Sequence, residues 1–159
     1  MLTLLLAMQA ILSLPGPIRA DLDASCAGWR LAPVTPEIQA EIVTRTPSWQ
    51  ANLIPGDFDG DGETDAAALV ECKGTVQLAV FMATKSGFSK SILEKPQPLD
   101  SREFLHLIRG EYDHDAIGVE YDAIGGHAWI FKEGRWQSVA RTAAVPSAHT
   151  AAVRRRAGS

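Results

Sequence analysis

The chain has only two cysteines, no excess of basic charge and no long apolar run, and each shortage excludes something. Two cysteines cannot build the dense disulfide framework that replaces a core in the smallest secreted domains. A formal net charge of −4 argues against a nucleic-acid partner, because phosphate recognition needs a basic surface. The most apolar stretch, Leu2 to Leu14, is shorter than the roughly 20 residues a membrane span requires. No serine sits in a G-x-S-x-G elbow, so serine hydrolysis has no local signature here.

What is present begins at the N-terminus. The apolar run Leu2–Leu14 is broken by Pro15, Gly16 and Pro17, and Ala20 offers a small residue for cleavage. Residues 1–20 therefore read as a secretory signal peptide, which predicts a secreted or periplasmic protein. Its removal leaves 139 of the 159 residues, enough for one domain around one core, over residues 21–142. It also removes Arg19, so that 14 basic residues face 19 acidic ones. Residues 143–159, ending in the basic run Arg154-Arg155-Arg156, read as a disordered, solvated tail. In an exported chain Cys26 and Cys72 most simply form one disulfide. Lipidation of Cys26 is disfavoured by Asp23 in the preceding tetrapeptide and by the charges between it and the apolar run.

The segment that speaks to function is Asp57-Phe58-Asp59-Gly60-Asp61-Gly62-Glu63-Thr64-Asp65, with five carboxylates in nine residues. Carboxylates so close repel one another unless a cation lies between them, and cages of hard oxygen donors suit Ca²⁺. Counted from Asp57, acids occupy positions one, three and five, glycine occupies six, and position seven, Glu63, offers its main-chain carbonyl, as at the start of an EF-hand loop. Position twelve is Ala68, which cannot supply the closing bidentate carboxylate, so the cage is expected to close early, on Asp65. The following Ala66–Val70 reads as a buried strand rather than an exiting helix. A solvated Asp/Gly turn that binds nothing is the plain alternative, since both residues favour turns.

Residues Ile54–Val70 resemble one FG-GAP (VCBS-type) repeat, of the form G-D-F-[DN]-G-D-G-x-x-D followed by an apolar strand. The resemblance covers about seventeen residues. It implies a loop joining two strands and carrying one calcium ion, with side-chain oxygens from Asp57, Asp59, Asp61 and Asp65 and a main-chain oxygen from Glu63. The wider layout is similar to small uncharacterised secreted bacterial proteins with a single loop of this kind.

Elsewhere, Thr35-Pro36-Glu37 is a helix start, with a capping threonine, proline in the first turn and an early acid. Ile38 and Ile42 share a face, and Pro47 ends the helix. The remainder is strand-like. Val76–Met82 is apolar on both faces, which predicts a central strand, and Phe88–Leu93 follows the Ser86-Gly87 turn. Phe104–Ile108 is ambiguous between strand and helix. Ile117–Tyr121, His127–Lys132 and Arg135–Arg141 form a meander with turns at Gly125-Gly126 and Glu133-Gly134. The expected fold is mainly β (α+β): a small antiparallel sheet domain with a short helix over one face and one calcium loop near an edge. One loop in a chain this short cannot make a full propeller.

Glu111, Asp113, His114 and Asp115 form a second acidic cluster without regular spacing, read as a solvated loop that either lies apart or adds a ligand to the first loop. Trp129 and Trp136 face each other on the last hairpin, either as core or as a binding surface for a protein or glycan. Three functions are weighed on this basis. The first is an exported calcium-binding domain with a structural or binding role and no evident catalysis. The second is an envelope-associated inhibitor, adaptor or carbohydrate-binding module. The third is a small metal-dependent hydrolase, which would need an open coordination position and a base.

Overall fold

The computed structural model describes residues 14–45, 50–100, 102–121 and 125–141, with the side chains of 41–45 excepted. The elements in order are α1 (Gly16–Ser25), β1 (Arg30–Leu31), α2 (Pro36–Arg45), β2 (Leu53–Gly56), β3 (Asp65–Cys72), β4 (Thr75–Thr84), β5 (Gly87–Ile92), β6 (Gln97–Pro98), β7 (Glu103–Ile108), β8 (Ala116–Tyr121), β9 (Gly125–Lys132) and β10 (Arg135–Arg141). They form two antiparallel sheets. The first runs β1-β3-β4-β5, with β2 also on β3 and β6 also on β4; the second is the meander β10-β9-β8-β7. The fold is thus mainly β, as the alternation predicts.

Each strand's register follows from its pattern. In β3 and β4 both faces are buried, so neither strand alternates with water. One face (Ala67, Leu69, Val76, Leu78, Val80) meets Leu105, Leu107, Ile117 and Val119 of the second sheet, with Phe58 and Ile54, in the principal core. The tight turns also match their residues. Lys73-Gly74 and Glu133-Gly134 both have positive φ at both positions, the geometry that joins twisted strands through two residues. Phe104–Ile108, ambiguous in sequence, is strand because it pairs along its length with Ala116–Glu120.

Gly125-Gly126 is not the turn but the start of β9, paired with Tyr121 and Glu120. A Cβ at Gly126 would fall 2.0 Å from the Val119 carbonyl, so glycine is there for a close backbone approach. A helix not expected from the sequence, α1, lies across a sheet face; the Ile42 side chain of α2 lies outside the described residues. Thr35 caps α2 as expected, its Oγ1 accepting from the Ile38 amide at 3.4 Å, and Gln39 accepts from the Ala51 amide. Leu14, Ile18 and Leu22, about one turn apart, bury themselves against Leu53, Ala68, Val70, Ala79 and Phe81 on the outer face of the first sheet. An apolar cavity of about 290 Å³ remains beneath α1, beside Phe81 and Phe88.

This arrangement bears on the leader. Residues 1–13 lie outside the described residues, but Leu14 and Ile18 are packed, and a cut after Ala20 falls inside α1 and would take both from the cluster. The expected tail, 143–159, also lies outside the described residues. The disulfide forms as expected, between Cys26 at the end of α1 and Cys72 at the end of β3, with Cα atoms 6.2 Å apart. Among the described residues no helix is long and apolar enough to cross a membrane.

Candidate metal centre

The acidic loop is the connection of the β2–β3 hairpin, whose base is the Gly56–Asp65 pair. Phe58 fixes it to the molecule: the ring is wholly buried in the principal core and meets Trp136 edge-on at 6.2 Å. Gly56 is required beneath that ring, since a Cβ there would lie 2.4 Å from it. The rest of the loop curls around its own carboxylates. Asp57 accepts from the Gly60 amide at 2.8 Å and from the Gly62 amide at 3.1 Å. Asp59 accepts from the Asp61 amide, and Asp61 from the Glu63 amide at 2.8 Å. Gly60 and Gly62 have φ of +79° and +88°, a conformation that other residues adopt at a penalty.

The result gathers Asp57, Asp59 and Asp61, with one oxygen of each within 4.8 Å of the others. Two oxygens bound to one Ca²⁺ at 2.3–2.6 Å cannot be farther apart than about 5 Å, so the spacing fits a single ion. The donors are hard carboxylate oxygens with no nitrogen or sulfur, a set that suits Ca²⁺, Mg²⁺ or Mn²⁺ and not the softer metals. The group is therefore a possible metal site.

Of the four side chains expected as ligands, the structure brings Asp57, Asp59 and Asp61 together. Glu63 is exposed, and its amide serves Asp61. Asp65 is not in that group of three. It is only 2% exposed, and each of its oxygens holds a main-chain amide, Phe58 N at 2.9 Å and Ala83 N at 2.8 Å. It thus pegs the loop's base to the neighbouring strand β4. Burial pushes the Asp65 carboxyl above its ordinary value against those two hydrogen bonds, and the charges of Asp59 and Asp61 add to the rise.

The second acidic cluster does not stand apart. The Asp115 amide donates to the Asp57 carbonyl at 3.2 Å, and its carboxylate accepts from the Asp57 amide at 3.1 Å. His114 lies over Gly60, where a Cβ would fall 2.2 Å from its ring. Asp115 and His114 thus brace the first loop from the second sheet, while Glu111 pairs with Arg141 at 2.8 Å. That hydrogen bond holds the Glu111 carboxyl below its ordinary value. Gly60→Ala is expected to destabilise by about 1–2 kcal/mol from the left-handed backbone alone, with a further loss from the displaced His114. Gly62→Ala carries the same backbone penalty but meets nothing within 4 Å. The difference between the two urea midpoints measures the His114 contact, and equal midpoints would show that His114 does not brace the loop.

Trp129 and Trp136, read as either core or surface, lie on one face of the last hairpin, half-buried and packed against the principal core. The Trp129 indole donates to Glu94 at 3.1 Å. Trp136 meets Phe58 and Phe131 edge-on. The part of the site that sequence reasoning missed is the anchoring by Phe58 and the pegging by Asp65, since spacing along a chain does not say which way a side chain turns.

Comparison with known proteins returns no matching family model, no similar curated protein and no similar solved structure.

Proposed function

We propose that this chain is an exported domain in which the Asp57–Asp65 loop holds one Ca²⁺, and that the ion's role is to fix the loop for structure or binding rather than to drive a reaction. The observation that carries the reading is the convergence of Asp57, Asp59 and Asp61 within 4.8 Å. The setting supports it. The loop joins two paired strands, as the resemblance to an FG-GAP repeat implies, and Phe58 and Asp115 hold it to both sheets. Asp57, Asp59 and Asp61 would supply side-chain oxygens and Glu63 a carbonyl. Asp65 would act beneath the ion by pegging the base of the loop to β4 through the Phe58 and Ala83 amides. Ca²⁺ is favoured over Mg²⁺ because an irregular loop of carboxylates tolerates seven or eight ligands more readily than a strict octahedron. Export is supported by the Cys26–Cys72 bond, which persists in oxidising compartments, and by the apolar Leu2–Leu14 run. A weak site suffices where calcium is plentiful, with Kd of about 10⁻⁴–10⁻³ M.

Calcium at 10 to 100 times Kd is expected to add between about 1.4 and about 2.7 kcal/mol to stability. Titration calorimetry and melting curves with and without chelator test this. Asp57→Ala and Asp59→Ala are expected to abolish the calcium-dependent shift. The absence of heat on adding millimolar Ca²⁺, together with superimposable melting curves, would remove the proposal.

A further inference from the structure

Outside the metal loop, two largely buried carboxyl groups, Glu94 and Glu103, bond to neighbouring groups on one face of the second sheet and to each other. Glu103 opens β7 and is 6% exposed; the Glu94 side chain, in the connection between β5 and β6, is 9% exposed. The second sheet provides their partners. His127 Nε2 lies 2.7 Å from Glu94 Oε1, and Trp129 Nε1 donates to the same oxygen at 3.1 Å. The Tyr121 hydroxyl donates to Glu103 at 3.4 Å. On the other side, the residue before Glu94 is tied to the first sheet: the Leu93 amide donates to the Leu78 carbonyl in β4, and the Leu93 side chain packs on the principal core. Glu94 is thus the point where the chain leaving one sheet is fastened to the other.

We propose that Glu94, Glu103 and His127 form a proton-operated latch between the two sheets, closed while one proton is shared between the carboxyls and loosened when it is lost. The reason is electrostatic. Two ionised carboxylates side by side with little access to water repel strongly, whereas a protonated Glu103 donates to Glu94. The groups facing the pair are Glu94 and Asp100 from the connection (Asp100 itself bound to Arg102), Tyr121 from β8, and His127 and Trp129 from β9. Burial, the Glu94 charge and the hydrogen bond to Glu94 push the Glu103 carboxyl up to about 7, against the Tyr121 hydrogen bond. Burial would raise Glu94 as well, but the His127 and Trp129 hydrogen bonds and the His127 charge hold it below its ordinary value. Partial burial, and then the charges of Glu103 and Glu94, push the Tyr121 hydroxyl up to about 12.

The sign follows from proton binding. Folded Glu103 keeps its proton to about pH 7, while the unfolded chain releases it near 4.5, so the folded state binds more protons in that window and stability falls as pH rises through it. Glu94 acts oppositely: its contribution is present above its unfolded value and is lost as pH falls through its folded one. Loosening at neutral pH would free the connection from Leu93 to Glu103 and begin to uncover Tyr121 and Trp129.

The test is the pH dependence of stability at saturating Ca²⁺, for the natural chain and Glu103→Gln. The natural chain is expected to lose about two orders of magnitude in its folding equilibrium constant between pH 4.5 and 8, and Glu103→Gln, which keeps the donor to Glu94, is expected to lose little. A slope unchanged in Glu103→Gln would overturn the latch. Carboxyl NMR on the natural chain decides the matter without a variant. A Glu103 midpoint near 7, with the Trp129 indole proton shifting in step, supports the latch, and a midpoint near 4.5 overturns it. Neither readout depends on whether the loop binds calcium.

Discussion

Replacing Cys26 and Cys72 by serine is expected to lower stability by about 4 kcal/mol, the loop-closure entropy for a bond spanning 46 positions. For a domain with a total stability of about 5–15 kcal/mol, that is a quarter or more of the whole. The loss is expected to fall unevenly. Cys26 ends α1, so the bond fastens that helix and the short β1 to the end of β3, where β1 has only two paired positions of its own. Hydrogen exchange in α1 and β1 should therefore quicken before that of the second sheet, whose meander is held by its own ladder. Urea unfolding with and without reductant measures the total. Coincident midpoints would show that the α1 packing and the exposed Arg30–Glu71 and Lys90–Asp21 ion pairs suffice to hold this end of the fold.

The features legible in the sequence share one property: they are set by neighbours along the chain. The two-residue turns at Lys73-Gly74 and Glu133-Gly134, the strand pattern of β4 and the curl of the acidic loop all depend on backbone preferences within a few residues. The disulfide was legible for a different reason, since two cysteines allow one pairing. Where long-range packing decides, local signals fail. Gly125-Gly126 reads as a turn, yet the Val119 carbonyl needs glycine opposite it in a strand. Leu14 and Ile18 belong to a segment whose composition reads as a leader, while their one-turn spacing with Leu22 suits the open face of the first sheet. The Glu94–Glu103 pair had no signal, because the groups that define it, Tyr121, His127 and Trp129, come from two strands far along the chain. Asp65 lies between these cases. Its spacing marks it as belonging to the loop, but the direction of its carboxylate is set by Ala83, eighteen residues on.

That direction makes Asp65 the most informative position to change. Asp65→Asn preserves the shape but can accept only one of the two amides that Asp65 now holds, and turns an amide group toward the other. A lost hydrogen bond to a charged acceptor is worth about 1.5–3 kcal/mol, and a stranded buried donor adds about 1–3 kcal/mol. Removing a negative charge that burial, Asp59 and Asp61 disfavour offsets part of this. The net loss is expected to be about 2 kcal/mol, and it should be the same in chelator as in calcium, because the amides of Phe58 and Ala83 are there in both. Asp59→Ala should behave in the reverse way, since among the described residues its carboxylate accepts only the amide of exposed Asp61, and little stability is expected to be lost until calcium is present. Denaturant curves for the two variants with and without Ca²⁺ separate the peg from the ligand. If Asp65→Asn loses stability only when calcium is present, Asp65 acts as the closing ligand its ninth position suggests, and the two amides are secondary.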